Sequence, residues 1–89
     1  MDIRVGKVTH FYDRICVAVL ELIGEIKVGE TIRIHGRNTN ITQRVGSMEI
    51  EHQKIQSAGP GAEVAIKVIE PVREGDIIYK VVEEQENAQ

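Results

Sequence analysis

Valine and isoleucine recur at alternate positions in this chain, and no stretch carries them at the three- and four-residue spacing of an amphipathic helix. Branched side chains are stiff at χ1 and pack best on a pleated surface. The longest helix-compatible run, Glu49 to Ser57, contains β-branched residues and has the Gly59-Pro60-Gly61 turn close behind it. The apolar residues must therefore be buried on strand faces. With 89 residues there is material for one small core.

The strands can be placed one by one. Ile3 to Tyr12 is expected as the first, with Phe11 in the core and Tyr12 at its rim. Arg14 to Glu21 comes next, with Ile15, Val17 and Val19 on one face and Cys16, Ala18 and Leu20 on the other, both buried. Thr31 to His35 alternates, with Ile32 and Ile34 inward. The loop Gly36 to Asn40 reads as a hairpin turn leading into Ile41 to Glu51. In that segment Ile41 and Val45 share one parity and Met48 and Ile50 the other, so a β-bulge is expected near Gly46-Ser47. A short stretch spans Lys54 to Ala58. Val64, Ile66 and Val68 then point inward, and a last strand runs from Asp76 to about Val82. The expected fold is all-β, a small closed antiparallel barrel of six to seven strands. Residues 1–83 form its single domain and 84–89 an acidic flexible tail.

One pattern occurs twice. Ile26-Lys27-Val28-Gly29-Glu30-Thr31-Ile32 matches Val72-Arg73-Glu74-Gly75-Asp76-Ile77-Ile78. In each, glycine supplies the positive φ of a turn and a strand comes directly after it. Glu30 and Asp76 are placed to accept backbone N–H bonds of their turns. Gly29, Glu30, Gly59, Gly61, Gly75 and Asp76 are read as structural turn residues.

Eleven Lys and Arg stand against fourteen Asp and Glu, a formal charge of −3, unlike the strong basicity of a protein built to wrap nucleic acid. The charge is uneven. Between Glu30 and Glu49 there is no acid, and Arg33, Arg37 and Arg44 fall in that interval with His35. A local basic patch of this kind is a candidate contact for phosphate or RNA, and equally a solvated strand face. The start of the chain lacks the apolar run of a signal peptide and no run of about 18 apolar residues occurs, so a cytoplasmic location and no membrane partner are expected.

Catalytic chemistry is hard to assemble from these residues. His10, His35 and His52 lie on different expected strands without metal-ligand spacing, so no metal is expected. Cys16 sits in an apolar run and is expected as a core residue rather than a nucleophile. Glu49 and Glu51 read as one outward face. Phe11, Tyr12 and Tyr79 are the only aromatic rings, too few for a continuous base-stacking platform. The chain is expected to be a non-enzyme without cofactor, a monomer or weak dimer.

Five short segments in order carry a resemblance across nearly the whole chain. They are Gly6-Lys7-Val8, Ile26-Lys27-Val28-Gly29-Glu30, Val45-Gly46-Ser47-Met48-Glu49, Ala58-Gly59-Pro60-Gly61 with Val64-Ala65-Ile66, and Arg73-Glu74-Gly75-Asp76-Ile77-Ile78-Tyr79. In these the chain resembles domain 2 of the translational GTPases, the barrel of elongation factor Tu and initiation factors, as in translation elongation factor-like proteins. It is also similar to the small barrel that ends some collagenase-like peptidase family proteins, several of which modify RNA. No Gly-x-x-x-x-Gly-Lys-Ser/Thr is present, so GTP binding is not expected and the resemblance implies the fold without the GTPase activity. It implies a non-catalytic binding module working with ribosomal RNA, tRNA or other RNA of the translation apparatus. The alternative is an accessory protein-interaction domain that docks on a separately encoded enzyme, such as a peptidase-like RNA-modifying protein.

Overall fold

The computed structural model describes residues 2–82; the expected tail, 84–89, lies outside the described residues. Ten strands succeed one another: β1 (Asp2–Tyr12), β2 (Val17–Leu22), β3 (Ile26–Lys27), β4 (Thr31–His35), β5 (Asn40–Arg44), β6 (Met48–Ile50), β7 (Gln53–Ile55), β8 (Ser57–Ala58), β9 (Glu63–Lys67) and β10 (Ile77–Val81). Eight make one antiparallel sheet in the order β5-β4-β10-β1-β2-β9-β6-β7, and β3 pairs with β8 separately.

The all-β expectation holds, and no helix occurs among the described residues. A closed barrel is not found: the main ladder ends at β5 on one side and β7 on the other. The reason lies in the fourth expected segment. It is not one bulged strand but two, β5 and β6, with Val45 to Ser47 unpaired by the sheet between them. Val45 leaves the sheet to exchange backbone bonds with Glu30 and Gly29, each at 2.8 Å. Past the break, β6 pairs with β9, while β7 folds back on its other side and ends the main ladder.

The register irregularities lie elsewhere, in β1. Its pairing with β10 shifts between Arg4 and Gly6, and its pairing with β2 shifts between Val8 and His10. Each bulge adds one residue and so reverses the parity of the residues beyond it. That lets Val5 and Gly6 both face inward, and it leaves Arg4 and Lys7 both outward. At Gly6 the strands approach so closely that a Cβ would stand 2.5 Å from the backbone oxygen of Glu21.

The core is aliphatic. Leu20, Ile26, Ile32, Ile34, Val64 and Ile78 are fully buried, as the alternation of β4 and β9 requires, and Phe11 packs against them. The expectation for the second strand is corrected. Only the face carrying Ala18, Leu20 and Leu22 is buried; Val17 and Val19 are half-buried, and Ile15 is 57% exposed. Cys16 is not a core residue. It has φ 54° in the turn between β1 and β2 and is half-buried, so the strand starts at Val17.

The β6–β7 hairpin closes with a two-residue loop, Glu51-His52, at φ 50° and 67°. Two consecutive positive φ angles match the twist of a tight hairpin but oppose the Cβ of both residues. Glu51 therefore belongs to the turn and shares no strand face with Glu49.

These backbone constraints set the response of stability to substitution. Gly6→Ala should lower it by about 2 kcal/mol, because rigid backbone must move. Gly46→Ala, where a Cβ meets nothing within 4 Å, should leave it nearly unchanged. Replacing the hairpin loop by Glu51→Asn with His52→Gly should raise stability by about 1 kcal/mol. Urea denaturation midpoints at constant m-value measure all three.

Candidate functional site

The outer surface of the sheet divides into two regions of opposite chemistry. The first lies on β5, β4, β10 and β1. Arg33 and His35 stand on β4, two residues apart and exposed, so they share a face. Arg44 is on β5 directly opposite Thr31, diagonal to Arg33, within reach of long side chains. Arg37 sits outside the strands, in the hairpin loop between β4 and β5. The structure thus brings Arg33, His35 and Arg44 onto one face and puts Arg37 at its end. Arg33 meets the Asp2 carboxylate at 3.4 Å, and the Arg44 Nε donates to the Gly29 carbonyl at 3.3 Å. Gly29, Thr31, Arg44 and Val81 line a shallow groove of about 390 Å³ beside them.

Two further residues belong to this face, and local sequence patterns do not mark them as contacts. Tyr79 of β10 lies directly between Arg33 and Arg4, which oppose it from β4 and β1. The alternation of β10 reveals that Tyr79 points away from Ile78. That β10 lies between β1 and β4 is a long-range pairing no local pattern encodes.

The second region lies on β1, β2, β9 and β6. Tyr12 faces Val17, and His10, Val19, Ala65 and Glu49 form the next row across four strands. The His10 and Tyr12 rings stand 4.2 Å apart, and His10 Nδ1 is 3.4 Å from a Glu74 carboxylate oxygen. A groove of about 420 Å³ runs along this face, lined among others by Ile15, Val17, Ala65, Glu49, Lys54 and Lys67. It has an apolar floor and opposite charges at its side, where Glu49 and Lys54 are cross-strand neighbours.

The turn residues hold the ends of the strands in place. The Lys27 N–H donates to Glu30 Oε1 at 2.8 Å, and the Arg73 N–H donates to Asp76 Oδ2 at 2.9 Å. Gly29, Gly61 and Gly75 have φ of 97°, 88° and 92°, which L side chains resist; Gly59 has no positive φ. Asp76 is buried and its carboxylate fills the space where a Gly36 Cβ would stand. The second Glu30 oxygen lies 3.8 Å from Lys80 Nζ, which also donates to the Glu25 carbonyl at 3.0 Å. Gln43 does something sequence reasoning missed. Its carboxamide donates to the Lys67 carbonyl at 2.9 Å and accepts from the Ile69 N–H at 2.9 Å. One side chain therefore joins the β5 edge to the end of β9, where no ladder does.

No group of three His, Cys, Asp or Glu is placed to hold a metal among the described residues. Comparison with known proteins explains what kind of domain carries these surfaces. The model of the peptidase family U32 C-terminal domain matches residues 4–78. The chain belongs to that family. An uncharacterized protease of Methanocaldococcus jannaschii is 40% identical over 78 residues, covering 86% of this chain, and a collagenase of Porphyromonas gingivalis is 36% identical over 80 residues, covering 88%. The chain spans only 19% of the length of each. The C-terminal domain of a Geobacillus thermoleovorans protein assigned to the U32 peptidases has the same fold, with a TM-score of 0.84 at 19% identity over 91% of this chain and 93% of that one. These likenesses fall on the collagenase-like side of the resemblance, and a translation-factor identity finds no support in them.

Loss of the Gln43 clasp is measurable in the U32 C-terminal domain alone. Gln43→Leu should cost about 1 kcal/mol, since water can reach the freed groups. Gln43→Glu should cost at least as much, because a carboxylate accepts from Ile69 but has no proton for the Lys67 carbonyl. Thermal unfolding of the two variants at neutral pH tests this.

Proposed function

We propose that this chain is a non-catalytic accessory domain that acts with a U32-type catalytic domain which its own residues do not supply. The observation that carries this reading is the family match: it runs over residues 4–78, nearly the whole fold, and it is to the C-terminal domain of that family. The relatives named as a protease and a collagenase are about five times longer, so their activity is not read onto this domain.

The docking surface is the outer face of β2 and β9. Ile15, Val17, Val19 and Ala65 leave apolar area open there, and Ile15 alone is 57% exposed. A single exposed aliphatic residue needs no explanation, but a row of them across paired strands beside a groove is the anatomy of an interface core. Glu49, Lys54 and Lys67 around it supply the polar rim. A catalytic domain is the fitting occupant, since relatives carry a match to this domain within a much longer chain.

A chimera tests the reading. This chain replaces the matching segment of the M. jannaschii relative, and unfolding is monitored by calorimetry. A docked domain should unfold with its neighbour in one transition that persists at high salt, as apolar contact requires. Val17→Asp with Ala65→Asp should split it into two. Two independent transitions in the unsubstituted chimera would show that the face is not docked.

A further inference from the structure

The first surface region has a partner chemistry of its own, independent of what the apolar face docks on. Four strands place one row of side chains across the outside of the sheet: Arg4 opposite Tyr79, Tyr79 opposite Arg33, Arg33 opposite Thr42. The alternate positions, Ile78, Ile34 and Ile41, are buried, so this row faces solvent. Neighbouring strands lie about 4.8 Å apart, which sets the two guanidinium stems on either side of the phenol ring at about twice that spacing.

The charge of this face runs against that of the molecule. Its outward positions on β5, β4, β10 and β1 up to Lys7 hold Arg4, Lys7, Arg33 and Arg44 against one acid, Asp2, among the described residues. Lys7 is 3.9 Å from Glu21 of the neighbouring β2, so the excess rests on Arg4, Arg33 and Arg44 against Asp2, three minus one or +2, on a chain whose formal total is −3. Arg4 has no ion pair among the described residues, and Arg33 remains 45% exposed beside Asp2. Concentrated cations on an acidic body describe a site for an anion, and the shallow groove beside them describes an extended one. Planar guanidinium forks match phosphate oxygens, and a ring on the strand between theirs offers a seat for a flat group. A carboxylate polymer would use the arginines and leave the ring idle.

We propose that the outer face of β5, β4, β10 and β1 binds single-stranded nucleic acid, with phosphates on Arg4, Arg33 and Arg44 and one base stacked on Tyr79. The strand runs across the sheet toward the groove beside Gly29 and Thr31. Tyr79 is the centre of this row, with His35 and Arg37 at its margin.

Fluorescence anisotropy with a labelled single-stranded oligo(U) or oligo(A) of about twelve nucleotides tests the proposal on the full chain. Three neutralised phosphates should give a slope of about −2 in log K against log salt. Arg4→Glu with Arg33→Glu should weaken binding by about tenfold or more. The same charge change at Arg14→Glu with Arg73→Glu, exposed and off this face, should weaken it far less. Tyr79→Leu should cost about fivefold or more, and more for oligo(A) than for oligo(U). Thermal unfolding checks that each variant is folded, and the salt slope and the Tyr79 variant carry the test if the double variant is not. The proposal is overturned by no binding at low salt, by equal loss in the two double variants, by an unchanged Tyr79→Leu, or by displacement with poly-glutamate at equal charge.

Discussion

The pairing of β1 on both of its edges is the interaction on which the rest of the structure depends. β10, β4 and β5 hang from one side of it, and β2, β9, β6 and β7 from the other. Its two register shifts fall on opposite edges, one toward β10 and one toward β2. A strand that bends at two points can curl the sheet over a core of aliphatic side chains without a helix to cover it. Gly6 permits the approach of β1 to the Glu21 backbone that this curvature requires.

The same strand assigns the surfaces. Because each bulge reverses parity, the outward residues of β1 are Asp2, Arg4 and Lys7 in its first half and His10 and Tyr12 in its second. The first half lies beside Tyr79 and Arg33, the second beside Val17 and Val19. A cationic face and an apolar face thus sit on the two halves of one sheet. The turn carboxylates of Glu30 and Asp76 fix the chain where it enters β4 and β10, two strands of the cationic face.

Much of this was legible locally. The alternation of Ile32 with Ile34 and of Val64, Ile66 and Val68 is the core as observed, and the repeated Gly-acid turn has the same carboxylate-to-amide bond in both copies. The candidate site was half legible. Arg33, His35 and Arg44 share a face because β4 and β5 are a hairpin, and hairpin pairing is local. Arg4 and Tyr79 were not legible as part of it, since β10 reaches β4 and β1 over a long stretch of chain.

The misreadings share a cause. Cys16 and Ile15 continue an apolar run, yet a turn with positive φ ends the run before Val17. The parity change near Gly46 could be satisfied by a bulge or by a break, and the competition of β5, β7 and Glu30 for partners chose the break. The amino-acid sequence alone determined the all-β class, the inward residues of β4 and β9 and the two Gly-acid turns, because these depend on neighbours two to four residues away. Which strands lie side by side, where the main ladder ends, and which arginines flank a tyrosine were decided by the tertiary structure, because those pairings join segments whose only shared property is that each has an edge to pair.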